Sequence, residues 1–314
     1  MPTQRPFRFG VVSHGAASQD EWYSQARKAE HLGYATFLVN DHLNSTFAPG
    51  AAIIAAAEAT TTLRVGSYVF ANDFRHPVML AKEAATIDVL SNGRFEFGIG
   101  TGWAHADYAQ SGIPFDAPGV RVSRFAEAVH IIKGAFADAP FSFPGTHYQV
   151  QDLQGSPKPL QRPHPPLLIG GGSQRMLSIA AQEADIVGIN VKTTATGGFD
   201  VSSLTPEATD QKVAWVQAAA GARFAALELS VLVPFVAVTE KQQEAVARYV
   251  QDLGTAEYMN PQQLLASPHS LIGSIDQIIE SLQAHRERYS CSYFVIHYHN
   301  MEQFAPIVAR LTSA

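Results

Sequence analysis

The 314 residues are 46% hydrophobic and 16% charged, a balance that permits a large buried core. A formal charge of −6 and the lack of any basic stripe leave no electrostatic footprint for nucleic acid. No apolar run approaches the roughly 18 to 20 residues that span a bilayer.

Short Val-, Ile- and Phe-rich runs alternate with helical patterns along the whole chain, which predicts βα units around a parallel sheet. Strands are predicted at 7–13 (FRFGVVS), 35–40 (ATFLVN), 63–70 (LRVGSYVF), 94–100 (RFEFGIG), 166–171 (PLLIGG), 185–190 (DIVGIN), 227–238 (LELSVLVPFVAV) and 291–297 (CSYFVIH). Eight strands are the number that closes a (β/α)8, or TIM, barrel, so the fold class is α/β. Ser18 with Glu21, Thr239 with Gln242 and Ser274 with Gln277 have capping-box spacing and predict helix starts. Val122, Phe125, Val129, Ile132 and Phe136 step at helical spacing and share one face, read as core packing. Cys291, the single cysteine, is read as a small core residue of the last strand. One domain over residues 1–314 is expected, with insertions near 139–165, a hairpin around Pro144-Gly145, and near 192–206, a polar loop. The start MPTQRPFRFG lacks a signal-peptide apolar core, and a cytoplasmic protein is expected.

In such a barrel, function collects at the C-terminal ends of the strands. Here those ends carry His14, Asn40-Asp41-His42, Ala71-Asn72, GTGW (100–103), GGGS (170–173), Asn190 and HYHN (297–300). Gly170, Gly171 and Gly172 open either a phosphate site at a helix N-terminus or a tight turn capped by Ser173, with Lys192 close in sequence. GIGTGW does not open a Rossmann unit and is read as a close backbone approach to a ligand. His14, Asp41, His297 and His299 raise a metal-dependent hydrolase as a lesser alternative; the turn signalled by Asn300 argues against convergent ligands, and no metal site is assigned.

With these residues in place, the chain resembles the bacterial-luciferase-like family of flavin- and deazaflavin-dependent oxidoreductases. The resemblance rests on GYATFLVNDH (33–42), on LRVGSYVFANDFRHPVMLAKEAATIDVLSNGRFEFGIGTGW (63–103) and on PPLLIGGGSQRMLSIAAQEADIVGIN (165–190). The segment NDFRHP resembles members assigned to coenzyme F420. The resemblance implies a shelf under the cofactor ring with a non-prolyl cis peptide in the span Tyr68–Asn72, involving Val69, Phe70, Ala71 and Asn72. It also implies a cofactor phosphate at Gly170–Gly172 with Asn190 and Lys192, and Asp41 and His42 beside ring and substrate. His42 is the expected acid or base and Asp41 its catalytic neighbour, with His14, Trp103, Tyr108 and His297 as a substrate wall. Members that oxidise glucose 6-phosphate have a Glu where Trp103 stands and a Trp within the stretch that here reads LNST, which sets this chain apart from them. The expected activity is F420-dependent hydride transfer on a small organic substrate by a homodimer. An FMN-dependent monooxygenase is the alternative, and a non-catalytic flavin-binding protein a further one. Asp73 and Arg75 are expected to brace the turn as a local ion pair or cap, and Pro77 to begin a helix.

Overall fold

The computed structural model describes residues 5–252 and 259–312. Eight parallel strands, β1 Arg8–Ser13, β2 Thr36–Val39, β3 Arg64–Ser67, β4 Phe95–Gly100, β5 Leu167–Gly171, β6 Ile186–Ile189, β7 Glu228–Val233 and β8 Cys291–His297, close into a (β/α)8 barrel. β1 pairs with β2 and with β8, and β3 with β4 through Val65↔Phe95 and Gly66↔Glu96, so the sheet has no free edge. Outward side chains such as Phe9, Phe37, Val65, Phe97 and Phe294 join the inner faces of the helices in the main core. Inward ones such as Val12, Leu38, Leu168, Ile186, Tyr293 and Val295 form a separate cluster that fills the barrel. No described helix is long and apolar enough to cross a membrane.

Two predicted strands are broken. The third stops at Ser67 and resumes only as Phe70–Ala71 beside the end of β4, and the Tyr68–Val69 peptide between them is cis, within the expected span. The seventh stops before Pro234, which has no N–H to give a ladder. Beyond it Phe235–Val238 leaves the barrel and pairs with Ser270–Gly273, a strand absent from the sequence reading. Ser274 and Gln277 form a reciprocal capping box. The other two pairs do not: Glu21 accepts from Ala17 N–H, and Gln242 donates to the Ile272 carbonyl, while an unread box forms at Asn260 and Gln263. Phe125, Val129, Ile132 and Phe136 are buried on helix Pro118–Phe136, and Cys291 is buried in β8. Strands Phe141–Pro144 and Gln149–Leu153 make an antiparallel hairpin, and Lys192–Thr193 pairs with Phe199–Asp200 in a second one.

The N-terminal end of the barrel is sealed by charge. Glu96, 1% exposed, accepts from Arg8 and from Arg64 Nε at 2.9 Å, and Arg8 also reaches Glu228 Oε2 at 2.5 Å. Burial pushes the Glu228 carboxyl up, with Arg8 opposing it. Tyr293 lies under the Arg8 guanidinium, 4.4 Å from its ring centre, and its hydroxyl meets Thr36 Oγ1 at 2.5 Å.

Removing Glu96 leaves two guanidiniums facing each other without their shared acceptor. Glu96→Ala is expected to lower the unfolding free energy by about 3 kcal/mol, measured by urea denaturation. A second expectation concerns acid. Burial, with Arg288 adding to it, lowers the His285 imidazole from 6.5 to about 4. The unfolded chain therefore takes up a proton that the folded one refuses, so this contribution is full above pH 6.5 and is lost as pH falls toward 4. His285→Phe should lose about 2 kcal/mol less stability than the wild type between about pH 7 and pH 5, read from urea curves at each pH.

Candidate active site

The C-terminal mouth is organised by Asp41, at the end of β2. Its Oδ2 accepts from the Ala71 N–H at 2.9 Å and from Arg75 Nη1 at 2.5 Å, and its Oδ1 from Arg75 Nη2 at 3.3 Å. Arg75 lies 4.9 Å from the centre of the Phe70 ring. Asp41, 8% exposed, thus holds the backbone at Ala71, and its carboxylate is engaged there and on Arg75. Asp73 and Arg75 do not pair with each other. Asp73 takes Arg124 through two nitrogens at 2.9 and 2.7 Å and the Tyr108 hydroxyl at 3.0 Å. Pro77 starts helix Pro77–Leu90, capped by the His76 ring through Val78 N–H.

His42 finds its carboxylate elsewhere. Its Nδ1 lies 2.6 Å from Oδ2 of Asp107, whose Oδ1 accepts the Leu43 N–H at 3.2 Å. The His42 ring stands edge-on to Trp103 with centroids 5.5 Å apart. Trp103 in turn lies 4.4 Å from Phe199, at the far strand of the 192–200 hairpin. Gly197 at the tip has φ +85°, and a Cβ there would meet the Trp103 carbonyl and the His105 N–H at 2.8 Å. The hairpin therefore arches from β6 onto the loop after β4. Its root is fixed by Lys212, whose buried ammonium donates to the Asn190 and Ser203 carbonyls at 2.7 and 2.6 Å; burial lowers this amine to about 8.

On the opposite side three imidazoles stack. His14 and His297 rings are 5.6 Å apart and 17° from parallel, His297 and His299 5.7 Å apart and 8° from parallel. Burial, then His14 and His299, lowers His297 to about 4, and burial, then His42 and His299, lowers His14. Stacked rings do not converge their nitrogens on one point, and among the described residues no group of three or more His, Cys, Asp or Glu is arranged to hold a metal ion. The metal-hydrolase alternative gains nothing from this geometry.

The surroundings of three expected features are specific. Tyr108 is fully buried, with its hydroxyl on Asp73 and on the Thr101 carbonyl, so it supports the wall from behind and does not line it. Asn72 is fully buried too, and its amide donates to Tyr148 and Asp73 at 3.3 Å. The glycines of GIGTGW make room for the protein itself: a Cβ on Gly98 would strike the Ser67 carbonyl, and one on Gly100 would meet Val69 at 3.0 Å. At the β5 turn a Cβ on Gly170 would meet Asn190 Nδ2 at 2.5 Å, one on Gly171 Met176 Cγ at 2.5 Å, and one on Gly172 the Lys192 backbone. The anion-competent feature left there is the N-terminus of helix Gln174–Glu183, capped by Ser173. Lys192 is exposed, with Asp200 3.8 Å from its amine.

Sequence reasoning missed Asp107, Phe199 and Arg124. Asp107 was visible only as an acid in the first turn after the β4 glycines.

A family model described as luciferase-like monooxygenase matches residues 5–290. The chain belongs to this family. The luciferase-like family and its structural neighbours comprise oxidoreductases and monooxygenases. An FMNH2-dependent dimethylsulfone monooxygenase of Pseudomonas putida is 35% identical over 109 residues, 35% of this chain and 30% of that protein. The chain spans less than half the length of the curated relatives it matches. Among solved structures, the coenzyme F420-dependent tetrahydromethanopterin reductase of Methanopyrus kandleri superposes with a TM-score of 0.79 at 16% identity, covering 98% of this chain and 100% of that one. The EDTA monooxygenase of Chelativorans sp. BNC1 does so at 0.76 and 16%, covering 98% and 94%. At these identities the likeness is one of fold.

The Asp41 bridge predicts a graded loss. Asp41→Asn keeps an acceptor for Ala71 N–H but not the charge facing Arg75, and Asp41→Ala keeps neither. Unfolding free energy measured in urea should fall in that order, by about 3 kcal/mol for the alanine.

Proposed function

We propose that this luciferase-like chain is a cytoplasmic, coenzyme F420-dependent oxidoreductase that moves a hydride between C5 of the deazaflavin and a small organic substrate. The family match over residues 5–290 carries the reading, and the resemblance of NDFRHP to F420-using members directs it to the deazaflavin. When bound, that cofactor supplies the two-electron hydride exchange. The residues present fit such a group. Val69, Phe70 and Ala71 offer a shelf that Asp41 holds through the Ala71 N–H, with Arg75 on Asp41 and over the Phe70 ring. The buried Oδ1 atoms of Asn72 and Asn190 have no donor among the described residues, and imide-like N–H groups would satisfy such acceptors. Gly170, Gly171 and Gly172 lead into the N-terminus of helix Gln174–Glu183, which with Asn190 and Lys192 would take the phosphate.

Within this reading, Asp41 is a positioning residue and His42 gives or takes the proton that accompanies the hydride, its ring held between Asp107 and Trp103. Trp103, His14 and His297 enclose the substrate. The neutral state of His297, set by its depressed value near 4, and the aromatic surface of Trp103 suit a substrate without a large positive charge. The FMN-dependent monooxygenase reading is favoured by one observation, the similarity to the Pseudomonas putida enzyme, whose name includes FMNH2. A homodimer belongs to both readings. The outer face of helix Pro77–Leu90 exposes Met79 (62%), Val89 (37%) and Leu90 (51%), apolar surface that a second copy would cover.

Titration of the purified protein with F420 and with FMN in parallel, followed by fluorescence and absorbance, tests the proposal. F420 should bind, its absorbance should fall on addition of alcohols or aldehydes, and the absorbance of F420 should appear when F420H2 is given aldehydes or ketones. His42→Gln should retain F420 affinity and turn over about 100-fold more slowly. Binding of FMN alone would select the second reading, and binding of neither would overturn both.

A further inference from the structure

We infer that Asp107 is a positioning residue that fixes the tautomer of His42, holding hydrogen on Nδ1 and leaving Nε2 as the free acceptor at the mouth. Its consequence for turnover rests on the reading of His42 as acid or base; the tautomer itself does not. Asp107 lies in helix His105–Ser111, 65 positions from His42, and its side chain is 8% exposed. Both of its oxygens are engaged on the segment after β2, Oδ2 with His42 Nδ1 at 2.6 Å and Oδ1 with Leu43 N–H at 3.2 Å. An ionised carboxylate offers only lone pairs, so a short contact with Nδ1 requires the hydrogen to be there. In the neutral ring Nε2 is then bare.

The surroundings leave this partnership without a rival. Asp41, the adjacent residue, is committed to Ala71 and Arg75, and Asp73 to Arg124 and Tyr108. Of the other titratable groups at the mouth, His14 faces His42 closely enough to be lowered by it, and its Nδ1 is taken by Asn40 Nδ2 at 2.5 Å. His297 and His299 stack beyond His14. Trp103, edge-on, limits rotation of the ring, so the Asp107 contact and the ring plane are set together. A purely structural Asp107, serving only to cap Leu43 N–H, would leave the tautomer of His42 to its own preference, which in a free side chain places hydrogen on Nε2.

The geometry also dictates what an amide would do. In Asp107→Asn the Leu43 N–H still needs an oxygen at the Oδ1 position, which turns the NH2 toward His42 Nδ1. A donor there forces Nδ1 to accept, and the hydrogen moves to Nε2. The experiment is a two-bond 1H–15N correlation on the full chain, ring-labelled at histidine, at about pH 9 so that the imidazoles are neutral. The His42 signals are assigned by their loss in His42→Gln. The wild type should show a pyrrole-like Nδ1 and a pyridine-like Nε2, Asp107→Asn the reverse, and Asp107→Ala, which serves if the asparagine variant does not fold, a pattern dominated by hydrogen on Nε2. Hydrogen on Nε2 in the wild type, or an unchanged pattern in the folded variants, overturns the inference. In the cofactor assay Asp107→Asn should lower kcat about 100-fold with little change in KM. Full turnover by His42→Gln would remove the acid–base reading and leave the tautomer result standing.

Discussion

A closed parallel barrel has one interior, and eight inward-facing columns of side chains must share it. Here the sharing is uneven. At the N-terminal end the space is taken by Arg8, Glu96, Arg64 and Glu228, a charged layer that is tolerable because Glu96 has two guanidiniums to answer it. Against that layer Tyr293 reaches Thr36 and lies beside Gly10, where a Cβ would meet its hydroxyl at 3.0 Å. Toward the C-terminal end the columns of β4, β5 and β6 carry Gly98, Gly100, Gly170 and Gly188, and the room they leave is used by Val69 and Asn190. The Tyr68 hydroxyl is buried there beside Ser230 and Asn190, without a well-formed hydrogen bond. Small residues on one side of the barrel are what allow the chain after β3 to fold into the mouth and form a shelf.

The shelf depends on charge at its edge. Asp41 serves a backbone amide and an arginine at once, and Asp73 answers Arg124, so the NDFRHP segment is tied to β2 on one side and to helix Pro118–Phe136 on the other. These are half-buried arginines meeting buried carboxylates, the class of contact whose removal is expensive because a charge is left behind. Rigidity at this position is useful to any reaction that needs a planar group held at a fixed angle to a substrate.

The sequence made the barrel legible because each strand is a short apolar run with a helix pattern after it, and those patterns are local. What it hid was long-range pairing. Asp41 and His42 are neighbours in the chain, and at the strand end their side chains take different partners, Arg75 and Asp107. The link between Asp73 and Arg124 crosses 51 positions, and nothing in either segment announces it. The glycines were legible as glycines but not as to their purpose: the atoms that need the room are Ser67, Val69, Asn190 and Met176, which only the fold brings near. Pro234 was a local signal passed over, since a proline inside a run of twelve apolar-rich residues marks where pairing must change, and the Asn260–Gln263 capping box was another.

The arch of the 192–200 hairpin onto Trp103 and His105 has a geometric consequence for traffic. It roofs the side of the mouth between β4 and β6, with Phe199 and Trp103 in contact. Over β8 and β1, His14 and His299 are exposed and His297 lies between them. That side presents three near-parallel imidazoles, a surface against which flat, polarisable molecules would stack.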